Sequence, residues 1–179
     1  VRFELDFNDR QIDLMQEGFD LAVRIATLAD SSLIARRLAP IRHAVCASPD
    51  YLTRNGTPES AADLVHHACL VYSNLSDPSL WSYRGPDGQP GSVRVPIRLA
   101  ASSGNFLMRA AIAGEGLLMH PTFYLHEALR LGRLVRVLTD HTWAELSAYA
   151  VYPPTRHLPR RVRACIEFVA YRLAGEPHW

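Results

Sequence analysis

One helix near the C-terminus constrains this chain more than any other feature. Val162, Cys165, Ile166, Val169 and Leu173 recur at i, i+3, i+4, i+7 and i+11, a spacing that lines one face of an α-helix with apolar side chains. So broad a stripe is stable only against another layer, and the segments far upstream read as strands. Val1, Phe3, Leu5 and Phe7 alternate with Arg2, Glu4 and Asp6, the period-two pattern of a strand with one buried face. Leu21 to Ile25, Leu33 to Leu38 and His43 to Ala47 are expected to be three more. Asn8 and Asp9 can cap a short helix carrying Ile12 and Met15, which Gly18 closes. Two parallel strands joined by a short helix are the building unit of an α/β sheet.

Ser48-Pro49 interrupts this run and opens a second region. Pro49 suits the first turn of a helix and Gly56 its end, while Ser60 and Asp63 have capping-box spacing. Ala68 to Tyr72 reads as a buried strand. Leu80 to Tyr83 and Val93 to Ile97 flank the turn Gly85-Pro86-Asp87-Gly88, which predicts a hairpin, with Leu99 to Ser102 continuing its second arm. A helix is expected over Asn105 to Ala113, a strand at Leu117 to His120, and a helix from Pro121 to Leu129. Gly132 to Leu138 and Glu145 to Tyr152 complete the strands.

Composition excludes several functional classes. With 48% hydrophobic residues the 179-residue chain has ample material for a core. Its 19 basic and 18 acidic residues leave a net charge of +1, which is no electrostatic footprint for nucleic acid. The densest basic cluster, Arg156, Arg160, Arg161 and Arg163, reads as a solvated helix face. Three widely spaced cysteines exclude a disulfide framework and fit a reducing, cytoplasmic setting. No apolar run is long enough to span a membrane, and no signal peptide opens the chain.

Reaction chemistry has no constellation to work with. The eight histidines include no pair at metal-binding helical spacing, and His66-His67 are chain neighbours that point apart, so no metal site is expected. There is no Gly-x-Ser-x-Gly elbow and no phosphate loop. Gly114-Glu115-Gly116 follows a helix rather than a strand, the wrong context for a dinucleotide, and reads as a helix end with a tight turn. Cys46, Cys69 and Cys165 occupy positions of small buried hydrophobes, without a basic neighbour to activate a thiol. Neither an enzyme nor a cofactor is expected.

Taken together, several segments resemble one known family. Asp13-Leu14-Met15-Gln16-Glu17-Gly18-Phe19-Asp20-Leu21-Ala22-Val23-Arg24 is similar to a segment typical of LysR-type effector-binding domains. So are Asp30-Ser31-Ser32-Leu33 with Ile34 to Leu38, Ala47-Ser48-Pro49-Asp50-Tyr51-Leu52 with Gly56-Thr57-Pro58, and Ala113-Gly114-Glu115-Gly116 with Pro121. Gly132 to Leu138, Val151-Tyr152-Pro153 and Arg163 to Phe168 complete a resemblance that runs end to end. It implies an α/β fold like the type 2 periplasmic binding proteins, with two Rossmann-like lobes joined by crossover strands. Lobe one would comprise 1–47 and 144–179, and lobe two 48–143. A solute-binding protein of a transporter shares that fold and is the alternative reading.

The resemblance carries further expectations. A small, anionic effector would bind between the lobes, because helix N-termini facing a cleft favour anions. Ser103 and Asn105, at the start of a helix, would share that site with His120, Pro121 and Phe123, while Asn8 and Thr27 would approach from lobe one. An ordinary helix cap is the competing reading of Ser103 or Asn105. DNA would be bound only through an N-terminal winged helix-turn-helix that lies outside this chain. The family's first strand and helix are also expected to be missing, so that strand 1–7 could not pair directly with strand 20–25. Head-to-tail dimers or tetramers would form along strand 1–7 and the strand near 93–101.

Overall fold

The structure, a computed structural model, describes residues 2–8, 12–26, 33–155 and 157–173. The chain divides into two compact units, Val1–Ile41 with Leu146–His178, and Arg42–Glu145. Both boundaries fall inside continuous strands, so each unit is best followed along the chain.

In the first unit, β1 (Ala22–Ala26) pairs antiparallel with β9 (Thr142–Tyr152), Ala22 opposite Val151 and Ala26 opposite Ser147. The helix foreseen from its apolar stripe is α4 (Arg160–Leu173). Val162 and Ile166 are buried and meet Ala150, with Leu21, Leu38, Tyr152 and Leu158 packed around them. The Arg37 Nε–H donates to Ser147 Oγ at 3.0 Å, and Arg161 pairs with Asp20 at 3.5 Å.

The start of the chain departs from expectation. Residues 2–8 form no strand, and Phe3, Leu5 and Phe7 are 64%, 70% and 89% exposed. Alternation makes a strand only where a neighbouring strand supplies backbone partners and an apolar face, and β1 takes its partner from β9 instead. Residues 2–8 do not pair with β1, as expected, but the strand expected over 1–7 is absent among the described residues. No helix rises on Ile12 and Met15 either. Residues 14–18 make one turn, capped by Asp13, whose Oδ1 accepts the N–H groups of Met15 and Gln16 at 2.9 and 3.2 Å. That cap turns Leu14 inward, 1% exposed, and leaves Met15 in solvent at 66%.

The two strands expected at 33–38 and 43–47 are one, β2 (Ile34–Ala47). Ala39 and Ile41 are buried while Pro40 and Arg42 are exposed. The period of two simply continues through the proline.

The second unit follows the predicted order closely. After β2 come α1 (Pro49–Asn55), a 3-10 helix (Ala61–His66), β3 (Cys69–Tyr72) and the hairpin β4 (Leu80–Arg84) with β5 (Pro90–Arg94). Next are β6 (Ile97–Ala101), α2 (Gly104–Ile112), β7 (Leu117–Pro121), α3 (Thr122–Arg130) and β8 (Val135–Val137). The strand order is β5-β4-β9-β2-β7-β3-β6, with β8 beside β2. β3 runs parallel to both β6 and β7. β6 is thus a separate strand and not the second arm of the hairpin, because Pro96 cannot extend the hydrogen-bonded ladder.

Strand periodicity builds two cores in this unit. Val45, Ala47, Cys69, Val71 and Leu117 point to one face, where Tyr51, Leu64, Trp81 and Trp143 complete the packing. Their neighbours Ala44, Cys46, Leu70 and Leu118 point to the other, against Leu107 and Ala111 of α2 and Leu125 and Ala128 of α3. A strand buried on both faces reads as an uninterrupted apolar run, which is why Ala68 to Tyr72 read as a buried strand in the sequence.

Candidate functional site

The parallel strands β6, β3 and β7 end on the same side of the second unit, and helices start there. In open α/β sheets the space outside the carboxyl ends of strands is where ligands bind. Ser103 is the N-cap of α2 and its Oγ accepts the Phe106 N–H at 3.4 Å. The Leu107 N–H donates to the Ser103 carbonyl at 3.1 Å. The N–H groups of Gly104 and Asn105 precede these bonds, in the part of a helix that lacks internal partners. α3 starts nearby behind Pro121, which provides no side-chain cap.

Between the two helix starts lies His120, the penultimate residue of β7, opposite Ala44 of β2. It is 4% exposed, and its Nε2 has no hydrogen-bond partner among the described residues. A Cβ added to Gly104 would stand 2.4 Å from that nitrogen, so the first turn of α2 rests directly on the imidazole. Tyr124 of α3 stacks on the ring with centroids 4.7 Å apart, and Tyr72 at the end of β3 lies at 6.3 Å. Phe123 in turn packs on Tyr124 at 4.6 Å. Burial, reinforced by the neighbouring His43, pushes the His120 pKa down to about 4. The imidazole is therefore neutral near pH 7.

Five of the seven expected site residues, Ser103, Asn105, His120, Pro121 and Phe123, thus belong to this one unit. Asn8 belongs to the first unit, exposed, its amide donating to Asp6 Oδ2 at 2.7 Å, and Thr27 lies outside the described residues. Gly104, Tyr72 and Tyr124 were missed. Gly104 did carry a signal: glycine is a poor helix former, so one in a first turn points to close approach by a neighbour. The tyrosines carried none, since their positions depend on how strand and helix ends converge.

Two depressions of the surface lie elsewhere. One of about 530 Å³ is lined by His157, Arg160, Arg163 and Glu167 at the start of α4, and one of about 480 Å³ by the β4–β5 hairpin with Thr142 and Ala144. Both are open surface, and neither contains an orphaned buried polar atom, which is the stronger mark of a ligand site. Among the described residues no three His, Cys, Asp or Glu side chains stand together to hold a metal. No helix there is long and apolar enough to cross a membrane.

Gly114-Glu115-Gly116 ends α2 as expected. Gly114 has φ +80° and its carbonyl accepts the Arg54 Nη2–H at 3.0 Å. The Cys46 and Cys69 thiols are buried, and burial pushes both up to about 12, so neither is a reactive thiolate. The LysR substrate binding domain profile matches residues 1–174.

The chain belongs to the LysR substrate-binding domain family.

An uncharacterised HTH-type transcriptional regulator of Haemophilus influenzae is 36% identical to this LysR domain over 90% of the chain and 56% of its own length. The transcriptional activator TtdR of Escherichia coli is 33% identical, over 95% of the chain and 54% of its own. The LysR domain thus spans about half the length of these relatives. Full-length AphB, the Vibrio cholerae virulence activator of the LTTR family, superposes with a TM-score of 0.79 at 30% identity, covering 95% of the chain and 57% of AphB. The CrgA regulatory domain of Neisseria meningitidis gives 0.76 at 29% identity, over 89% of the chain and 78% of its own. The fold is that of the type 2 periplasmic binding proteins. These relatives are transcriptional regulators and not transport proteins, so the solute-binding alternative falls away.

Proposed function

We propose that this LysR effector-binding domain senses a small anionic metabolite at the N-terminus of α2 and transmits its occupancy to transcription by the intact regulator. The observation that carries this reading is the first turn of α2, with the N–H groups of Gly104 and Asn105 ahead of the helical bonds and an orphaned buried nitrogen beneath them. Helix N-termini bind carboxylate and phosphate groups through such donors and the helix dipole. Pro121 and Phe123 would flank the bound molecule. The protein acts without catalysis, in the cytoplasm, as a dimer or tetramer, and meets DNA through a winged helix-turn-helix supplied by a longer chain. Regulation requires only that the effector bind one state better than another.

Ser103 tests the reading because a cap and a ligand contact use different parts of its hydroxyl. The cap takes a lone pair, and the O–H remains to donate. A panel of small carboxylates would be screened for thermal stabilisation of the wild type, and the best binder measured by calorimetry on Ser103→Ala. Loss of a bond to a charged partner should weaken binding by about 1.5–3 kcal/mol. Unchanged affinity with reduced stability would make Ser103 a cap alone and remove the site.

A further inference from the structure

The pairing of a buried, partnerless imidazole with a helix N-terminus points beyond anion binding itself. We infer that anion binding at the first turn of α2 is coupled to uptake of one proton by His120, so that the domain takes its effector as an anion together with H⁺. This rests on the proposed site and specifies how that site is regulated.

The geometry confines the coupling to one residue. Gly104 brings the start of α2 onto His120 so closely that its missing side chain would collide with Nε2. A negative charge held by the first N–H groups of α2 therefore arrives beside a ring nitrogen that no described residue satisfies. Tyr124 from α3 and Tyr72 from β3 cover the ring. From β2 the titratable neighbour is His43, whose own charge opposes protonation of His120. No carboxylate acts on the imidazole from any of these elements, so the empty site keeps it neutral down to about pH 4. The arriving anion supplies the missing countercharge, and the proton converts Nε2 into a donor toward it. By linkage, affinity is flat above the pKa of the occupied state. It rises as pH falls between that value and about 4, by at most about tenfold per pH unit for one proton.

Methanesulfonate is a suitable probe, because its single charge is fixed across this range and any proton taken up must come from the protein. In the wild-type protein, backbone amide shifts at Gly104 and Asn105 would report binding, and the His120 imidazole resonance would report its pKa with and without probe. We expect the probe to raise that pKa by about two units and to bind about tenfold tighter at pH 5 than at pH 7. His120→Gln should retain binding with the pH dependence gone. Amide shifts at Gly104 and Asn105 without movement of the His120 pKa would overturn the coupling and leave the site standing. If these amides fail to respond at any pH, the site fails and the coupling with it. The wild-type titration decides the matter even if His120→Gln does not fold.

Discussion

The two glycines that follow α2 look alike in sequence and should behave differently. Gly116 has ordinary φ, but a Cβ there would stand 2.5 Å from the Ala68 carbonyl oxygen and 3.1 Å from its carbon. That carbonyl also accepts the Leu117 N–H at 2.8 Å, next to the first β3–β7 pair, Cys69 opposite Leu117. Restoring ordinary contact means displacing the backbone by about 0.9 Å, and both sides of the clash are tied into the sheet. Overpacking of this kind costs about 1–3 kcal/mol, and loss of ladder geometry places Gly116→Ala near the top of that range. At Gly114 the problem is conformational: φ is +80°, and the nearest atom is the mobile Arg54 Nη2 at 2.7 Å. A left-handed L-residue costs about 1–2 kcal/mol, so Gly114→Ala should be the milder change. Urea unfolding followed by the fluorescence of Trp81 and Trp143, both buried in the same core, in a Trp179→Phe background, reads the difference. With a slope of about 2 kcal/mol per molar urea, Gly116→Ala should lower the midpoint by about 1 M or more at unchanged slope. A Gly116→Ala midpoint equal to or above that of Gly114→Ala would refute the steric argument.

Other expectations concern single groups. Cys46 and Cys69 are buried and Cys165 partly exposed on α4, so a thiol reagent should label Cys165 first, and all three only after denaturation. Ser48→Ala removes the acceptor for the Tyr51 N–H at 3.2 Å, a cap worth about 0.5–2 kcal/mol, readable as a lower urea midpoint. His120 titrates near 4 in the folded protein against about 6.5 unfolded. Its contribution is complete above pH 6.5 and lost as pH falls toward 4, on the order of 3 kcal/mol by linkage. His120→Gln should flatten that part of the stability profile.

Much of the second unit was legible because its periodicities are unambiguous. The runs at Cys69 and Leu117, the Gly-Pro-Asp-Gly turn and the Ser48-Pro49 helix start each satisfy a local rule, and the fold obeys all of them together. Family membership was legible for the same reason, as a set of such segments in a fixed order. What failed depended on partners. Phe3, Leu5 and Phe7 have the right spacing for a strand, but nothing in their own sequence says whether a neighbouring strand is there to pair with. The strands expected at 33–38 and 43–47 are one, because the burial alternation runs on through Pro40. Within the candidate site, Ser103 and His120 were readable from the ends of their elements. The contact between His120 and Gly104, which gives the site its character, is set by how closely α2 settles on β7, and no local pattern records it.

The two units differ in how their residues are distributed along the chain. Arg42–Glu145 is contiguous, whereas the other unit gathers Val1–Ile41 and Leu146–His178 from either side of it. During synthesis the inner segment is complete while the strand that pairs with β1 has yet to be made. Joining β1 to β9 across an unfolded insert would close a very long loop, and the entropy of closure grows with loop length. A folded insert, in whose sheet β9 lies beside β2, leaves mainly the segment between Ala26 and Arg42 to be closed. The threading therefore favours one order of assembly, the middle first and the outer unit once the strand that pairs with β1 has been made.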